Sequence, residues 1–284
     1  MPVRSEVIAT KWGLILAMGL ELTLTAASPA LAEDQWPGIQ MQLYGDRPVA
    51  GGEGMITLDA PYRSDNDART VMGATLLAPA GRSIRDVSLI LDQNPMPVSA
   101  VIHLSRPIAR FAFEATLRVN GPTPVHVVTE LDNGTLYAVE GFVKTSGQGA
   151  CSAPPGSNPE AALATLGNME IEIGSLRASG KSDLLTDLAR LRNQQVSMSL
   201  KISHPSHSGM QMDQISLLFI PMRYVERVDI DLDGQRFADV TGSISLSENP
   251  EFTLSIPAAS HVIDVTMTDT DGTVTRKSKT LTSY

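Results

Sequence analysis

Short runs of alternating apolar and polar residues, separated by turn-forming residues, constrain the fold of this chain more than any other feature. The clearest run is residues 111–119, where every second residue is apolar and the intervening positions include Glu114, Thr116 and Arg118. This alternation predicts a strand with one buried face. The residues expected on that face are Phe111, Phe113, Ala115, Leu117 and Val119.

Turn signals between further strands extend this pattern along the chain. Residues 125–131 and 136–144 flank Asp132-Asn133-Gly134, a typical hairpin turn. Alternation resumes after residue 196, with turns at Asp233-Gly234 and Asp271-Gly272. Repeated short strands at this spacing predict an all-β fold of two antiparallel β-sandwiches rather than alternating β-α-β units.

The predicted sandwiches occupy residues 33–150 and 195–284, and residues 151–194 connect them. The stretch from residue 145 to 158 is rich in glycine, serine and proline, which predicts a flexible loop. Short helices are expected at residues 161–166 and 184–191, and a strand at residues 169–173.

The first 32 residues have the composition of an export signal. Arg4 and Lys11 supply a positive start, residues 12–24 are largely apolar, and Ala30-Leu31-Ala32 offers small residues for cleavage. We therefore expect a periplasmic protein that begins near Glu33. No other segment is apolar enough to cross a membrane.

The charge balance argues against two classes of partner. The net charge is -9 and the isoelectric point is near 5.0, which disfavours nucleic acid and anionic membrane surfaces. Basic or neutral protein partners are favoured instead.

Cys151 is the only cysteine in the chain. An unpaired thiol in an exported protein indicates a reactive sulfur or an intermolecular partner. Its neighbours Gly147, Gly149, Ala150 and Ser152 are small, which predicts a mobile arm that presents the thiol to other proteins. An unreactive loop cysteine and a dimer through a Cys151–Cys151 disulfide are the alternatives.

The surroundings of Cys151 in the sequence do not indicate a catalytic nucleophile. The nearest basic residue is Lys144, seven positions away, and no histidine lies close along the chain. The sequence therefore favours a carrier over an enzyme, and it predicts no cofactor.

A weaker hypothesis is a copper site. His204, His207, Met210 and Met212 lie within nine positions, and imidazole and thioether groups suit copper. The alternative is that His204-Pro205 closes a strand and that the methionines pack against the core or a partner.

The two halves resemble, in order, the SoxY and SoxZ subunits of the SoxYZ sulfur carrier. The first half does so through residues 84–97, Leu117-Arg118 and the glycine-bearing run that ends at Cys151. The second half does so through residues 202–205, 219–224 and 249–252 and the turn at Asp271-Gly272. Residues 204–213 are similar to a stretch of fused SoxYZ-like carriers associated with quinoprotein dehydrogenases.

The resemblance implies an immunoglobulin-like sandwich for each half and a cysteine that carries sulfur intermediates covalently. It also implies periplasmic partners: a c-type cytochrome that loads the cysteine, and a hydrolase and a dehydrogenase that process the cargo. The association with quinoprotein dehydrogenases leaves a second hypothesis, an accessory protein for such an enzyme.

The cysteine segment departs from the SoxY pattern. In SoxY the cysteine lies in a Gly-Gly-Cys-Gly-Gly tail at the end of the chain, whereas here it lies in Gly149-Ala-Cys-Ser152 and the chain continues. The expected arm is therefore attached at both ends. Seven extended residues from Lys144 would reach roughly 20–25 Å.

Overall fold

The structure is a computed structural model that describes residues 35–281, apart from residues 148, 154, 157–158 and 175–194. The predicted export signal and the predicted helix at residues 184–191 lie outside the described residues. Within the described ranges, no helix has the length and apolar character needed to cross a membrane.

Short strands dominate the described part of the chain. Eight strands precede Cys151: β1 (Val49–Gly51), β2 (Ile56–Asp59), β3 (Thr70–Leu77), β4 (Ile84–Leu91), β5 (Val98–Ile108), β6 (Arg110–Leu117), β7 (Thr123–Leu131) and β8 (Leu136–Val143). Seven follow it: β9 (Met169–Gly174), β10 (Gln195–Ile202), β11 (Val225–Leu232), β12 (Gln235–Gly242), β13 (Glu251–Pro257), β14 (Val262–Asp269) and β15 (Val274–Thr280). Two short helices, α1 (Trp36–Tyr44) and α2 (Pro159–Ala164), complete the described elements.

The strands form two sheets that face each other across one core. The larger sheet has nine strands in the order β1-β8-β7-β4-β5-β12-β11-β14-β15. The smaller sheet has six strands in the order β2-β3-β6-β13-β10-β9. Each half of the chain supplies strands to both sheets, which confirms the prediction of an all-β protein with two immunoglobulin-like sandwiches.

Both sheets continue from one half of the chain into the other. In the larger sheet β5 pairs antiparallel with β12, from Ala238 opposite Leu104 to Gly242 opposite Ala100. In the smaller sheet β6 pairs antiparallel with β13, with Phe252 opposite Ala115. The halves therefore pair within one chain, and residues from Gln35 onward form one compact unit.

The alternation seen in the sequence corresponds to burial in the structure. All five apolar residues predicted for one face of the strand at residues 111–119 are buried. The turn at Asp233-Gly234 joins β11 to β12 and has positive φ values of 51° and 74°, as a tight hairpin requires.

Helix α1 was not expected from the sequence, whereas the strand predicted at residues 169–173 is present as β9. Helix α1 precedes β1, and its Trp36 ring stacks on His126 with ring centroids 3.9 Å apart. Strand β9 was placed in the connector, but it pairs with β10 and belongs to the second sandwich.

One hydrophobic cluster fills the space between the sheets and contains buried residues from both halves. It includes Phe111 and Leu117 from β6, Phe237 from β12 and Phe252 from β13. Because this core is shared, a defect in one half is expected to destabilise the other.

We predict that Ile230→Ala lowers the stability of both halves together. Ile230 lies in β11 and is fully buried, so the cavity should cost about 2–5 kcal/mol. In a chain lacking residues 1–32, Trp36 is the only tryptophan and reports on the first half. Its fluorescence and the far-UV circular dichroism should shift to the same lower denaturation midpoint.

Val274→Ala is the matched control, because Val274 lies in the same half and is largely exposed. Unfolding of the Ile230→Ala protein in two steps, with the Trp36 transition unchanged, would show that the halves are independent.

Candidate functional site

Cys151 lies in a hydrogen-bonded turn between β8 and α2. The backbone N–H groups of Ser152 and Ala153 both donate to the carbonyl oxygen of Gly149, at 3.0 and 3.2 Å. We call residues 149–153 the cysteine turn. The Cys151 side chain is 0% exposed.

The prediction that Cys151 is held out on a mobile arm is therefore wrong for this conformation. Gly147 and Gly149 have φ values of 80° and 66°, which glycine tolerates and other residues adopt rarely. At Gly149 the missing side chain also matters, since a Cβ would lie 3.2 Å from Ser152 Oγ. Ala150 is buried with the thiol, and Ser152 is exposed. The small residues thus allow a compact turn to be buried.

The first half of the chain holds the cysteine turn through two asparagines. Asn120 Oδ1 accepts a hydrogen bond from the Cys151 backbone N–H at 3.2 Å. Asn94 Oδ1 in turn accepts from the Asn120 N–H at 2.9 Å. The Asn94 amide also donates to the Arg118 carbonyl and to Ser245 Oγ, so both asparagines are fixed in place.

The second half holds the same turn through two polar side chains. Ser208 Oγ donates to the carbonyl oxygen of Cys151. Gln211 Nε2 donates to the carbonyl oxygen of Ala153 at 3.0 Å, while Gln211 Oε1 accepts from the Ser208 N–H at 3.3 Å. The turn that carries the thiol is therefore fixed between the two halves.

Burial sets the protonation state of the thiol. It raises the pKa of Cys151 from 9.0 to about 11, and the positive charge of Arg118 opposes this rise. The sulfur is therefore a neutral thiol at pH 7 in the closed turn, and a thiol is a poor nucleophile.

Arg118 is the charged residue that acts most directly on Cys151. Its side chain is buried, with the whole residue 3% exposed, and Nη1 donates to the carbonyl oxygens of Leu246 at 2.5 Å and Ile244 at 3.4 Å. Burial lowers the pKa of Arg118, whereas Cys151 and Glu248 raise it. Arg118 forms no salt bridge with any residue that the structure describes.

The sequence alone did not identify the residues that hold the cysteine turn, nor the arginine whose charge acts on the thiol. Asn120 is 31 positions before Cys151 in the chain, and Ser208 is 57 positions after it. Arg118 was expected on the polar face of a strand, where an exposed side chain is usual. No local signal identifies these residues, because pairing between the halves brings them to the cysteine.

The two histidines of the proposed copper site are engaged in other contacts. His204 is fully buried; its Nδ1 accepts from the Ser206 N–H at 2.9 Å, and its Nε2 lies 3.4 Å from Asp269 Oδ2. Burial lowers the pKa of His204 to about 4. His207 Nδ1 lies 3.3 Å from Gln211 Oε1. The imidazoles thus support the segment that contacts the cysteine turn.

The copper hypothesis also includes two methionines, which differ in exposure. Met212 is exposed and Met210 is partly buried. Within the described ranges, no group of three or more histidine, cysteine, aspartate or glutamate residues is arranged to hold a metal ion.

An exposed apolar segment follows directly after the residues that hold the cysteine turn. We call residues 212–222 the apolar hairpin. Its two sides are joined by the bridge of Met212 to Phe219, and the Ile220 N–H donates to the Gln211 carbonyl at 2.8 Å. Ile215 is 94% exposed. The other exposed apolar residues of the hairpin are Met212, Leu217, Leu218, Phe219 and Met222.

We predict that the alkylation rate of Cys151 in the folded chain rises with pH up to about pH 11. In urea-unfolded chain the rate should level off near pH 8.5, the ordinary thiol range. A difference of about 2.5 pKa units makes the folded chain roughly three-hundredfold slower at pH 7–8. Labelling with iodoacetamide, quenched at a series of times and followed by intact-mass spectrometry, measures these rates.

The direction in which pH changes the stability of the closed turn follows from the raised pKa of Cys151. The thiol stabilises the closed turn fully below about pH 9, and this contribution is lost as pH rises through about 11. Cys151→Ser is the control for labelling elsewhere, and circular dichroism checks that the chain stays folded. A folded-state plateau near pH 8.5 would contradict the burial of the thiol.

Comparisons with known proteins bear on both halves. Residues 40–151 match the family model described as sulfur oxidation protein SoxY, and residues 187–280 match that of sulphur oxidation protein SoxZ. No curated protein sequence matches the chain.

Two solved structures illustrate the structural likeness. The sulfur carrier protein SoxY from Chlorobium limicola f thiosulfatophilum is 19% identical over 39% of this chain and 96% of its own, with a TM-score of 0.34. A superoxide reductase (neelaredoxin) from Ignicoccus hospitalis is 14% identical over 32% of this chain and 80% of its own, with a TM-score of 0.27. At TM-scores this low, neither likeness bears on function.

The two family matches follow each other in one chain, and the SoxY match ends at Cys151, the only cysteine in the sequence. Together they span most of the sequence. The chain therefore belongs to the fused SoxYZ-like proteins of sulfur oxidation, with a SoxY half followed by a SoxZ half.

Proposed function

We propose that this protein is a periplasmic carrier without catalytic activity of its own, which holds sulfur intermediates covalently on Cys151 between partner enzymes. One observation carries the proposal: the only thiol of the chain lies at the end of the SoxY match, where residues of both halves hold it. The export signal expected from the sequence supports the periplasmic location.

The loading step needs a thiolate and an oxidant. The Cys151 thiolate and thiosulfate would form a Cys–S–S–SO₃⁻ adduct with loss of two electrons, and the thiol proton would pass to solvent. A c-type cytochrome partner would accept the electrons. Because the pKa of Cys151 is raised, the partner rather than this chain would supply the activating group.

The carrier role requires the cysteine turn to open. Cys151 is fully buried in the closed turn, so no enzyme can reach the sulfur there. The hydrogen bonds from Ser208 and Gln211 would have to break, and both come from one short segment of the second half. Movement of that segment would release the turn without unfolding either sandwich.

The apolar hairpin is the surface that we assign to the partner enzyme. It leaves six large apolar side chains exposed, and it is continuous with Gln211, which holds the turn. Between Ser208 and Arg223 the sequence carries a single charge, Asp213. A redox enzyme that covers this hairpin would lie beside the sulfur and would contact the segment that must move.

We predict that the protein isolated from its native periplasm during sulfur oxidation carries adducts on Cys151 and on no other residue. Intact-mass and peptide mass spectrometry under non-reducing conditions would detect sulfur or thiosulfonate additions that dithiothreitol removes. A Cys151→Ser strain should lose the adduct and most of its sulfur oxidation. Undiminished oxidation in that strain, with normal protein levels, would favour the accessory role instead.

The same measurement tests the assigned partner surface. Leu217→Asp should lower the loaded fraction of Cys151 several-fold, because a charge in the hairpin disfavours burial against a partner. Val274→Asp places the same change on an exposed apolar residue of β15 and should leave loading unchanged. Equal loading of Cys151 in both variants would show that the partner enzyme does not bind the apolar hairpin.

A separate prediction concerns the opening of the turn. Gln211→Ala removes the side chain that contacts the Ala153 carbonyl and the Ser208 N–H. Each such hydrogen bond contributes about 1 kcal/mol, so the alkylation rate of Cys151 at pH 8 should rise about fivefold to thirtyfold. Gln214→Ala, an exposed glutamine three positions later, is the matched control. An unchanged rate in Gln211→Ala would mean that this segment does not limit opening.

A further inference from the structure

A buried positive charge, that of Arg118, acts electrostatically on the thiol of the closed turn and opposes the rise of its pKa. Arg118 and Cys151 come from distant parts of the chain, and the two residues are 3% and 0% exposed. The backbone on either side of Arg118 is fixed, because its N–H donates to the Ser245 carbonyl at 2.7 Å and its carbonyl accepts from Asn94 at 2.8 Å. Asn94 also accepts from Asn120, whose side chain accepts from the Cys151 N–H, so one hydrogen-bond network fixes Arg118 and the cysteine turn relative to each other.

No carboxylate in the described ranges neutralises this charge through an ion pair. Arg118 Nη1 donates to the backbone carbonyls of Ile244 and Leu246, which carry no net charge. Glu248 acts on Arg118 electrostatically, yet its carboxylate accepts from the Gly156 N–H at 2.9 Å. Burial and the positive charge of Arg118 lower the pKa of His207, which favours the neutral imidazole, and a histidine cannot supply a negative charge.

A buried charge without a counter-ion is unfavourable, and a guanidinium binds anionic oxygens through strong, charge-assisted hydrogen bonds. The free thiol cannot serve, since its pKa of about 11 keeps it neutral at pH 7. A sulfur adduct that ends in a sulfonate or a persulfide anion would place negative charge next to the guanidinium. Among the described residues no ion pair matches the positive charge of Arg118, whereas an anionic adduct on Cys151 would supply a negative charge.

We infer that Arg118 holds the negative charge of an adduct on Cys151, so that the closed turn shelters anionic adducts in preference to neutral or cationic ones. This inference deepens the proposed function, because it assumes that Cys151 is the attachment point and adds the residue that recognises the charge of the cargo. Arg118 acts as a binding residue here, since the sulfur chemistry itself takes place on Cys151.

Adducts of similar size and different charge test this preference. Methanethiosulfonate reagents attach ethyl, sulfonatoethyl or trimethylammonioethyl groups to Cys151 of the full chain. In each reaction the thiolate sulfur attacks the sulfenyl sulfur, a disulfide forms, methanesulfinate leaves and the thiol proton passes to buffer. Intact mass confirms complete labelling. The readout is the rate at which dithiothreitol removes each group, divided by its rate in urea-unfolded chain.

In the unsubstituted chain we expect the sulfonatoethyl group to be removed about tenfold more slowly than the ethyl group, the trimethylammonioethyl group being removed fastest. Opposite charges in a buried pair commonly shift such equilibria by one to three powers of ten. The overall field of the protein acts in the reverse direction, because a net charge of -9 favours a cationic adduct. An anionic preference therefore reports a local positive charge.

Variants assign that preference to Arg118. Arg118→Gln should remove the difference between the sulfonatoethyl and ethyl groups, and Arg118→Lys should retain part of it. Arg227→Gln deletes the same charge from a half-exposed arginine of β11 and should retain all of it.

Equal normalised rates for the three groups in the unsubstituted chain would overturn the inference, even if Arg118→Gln does not fold. An anionic preference that persists in a folded Arg118→Gln protein would overturn it as well. These outcomes are separate from the proposed function, which fails when no adduct is found on Cys151 in the periplasm.

Discussion

Backbone pairing between the two halves is the constraint on which the site depends. Beside the pairing of β6 with β13, Leu117 at the end of β6 bridges to Leu246, and the next residue, Arg118, donates its N–H to the Ser245 carbonyl. Arg118 is thereby fixed against the second half, and Asn120 follows it in the chain at a position from which it contacts Cys151. If either sheet ended at the boundary between the halves, the residues around the thiol would have no fixed relation to one another.

The strand pattern was accessible from the sequence because each strand needs only its own alternation to show which face is buried. The face formed by Phe111, Phe113 and Leu117 and the turn at Asp233-Gly234 are examples. The order of the SoxY and SoxZ halves was likewise accessible, since it depends on sequence similarity along each half.

The environment of Cys151 could not be predicted in the same way. Glycine and alanine beside a thiol indicate mobility when the partners are unknown, but they also permit tight burial when another part of the chain covers them. Ser208 and Gln211 provide that cover, and their types are common on any protein surface. The contacts of the two histidines were hidden for a related reason, because Ser206, Asp269 and Gln211, which lie close to three of their ring nitrogens, show no pattern in the sequence.

The continuation of the chain past Cys151, through α2 to β9, has a geometric consequence for any enzyme that receives the sulfur. A free tail can thread a narrow tunnel as a single backbone. A segment attached on both sides can enter only as a doubled loop, with two backbones abreast. Neighbouring extended backbones lie about 5 Å apart, so the entrance must be a slot roughly 10 Å wide rather than a pore. Receiving enzymes matched to this chain should therefore have active sites that open along a cleft.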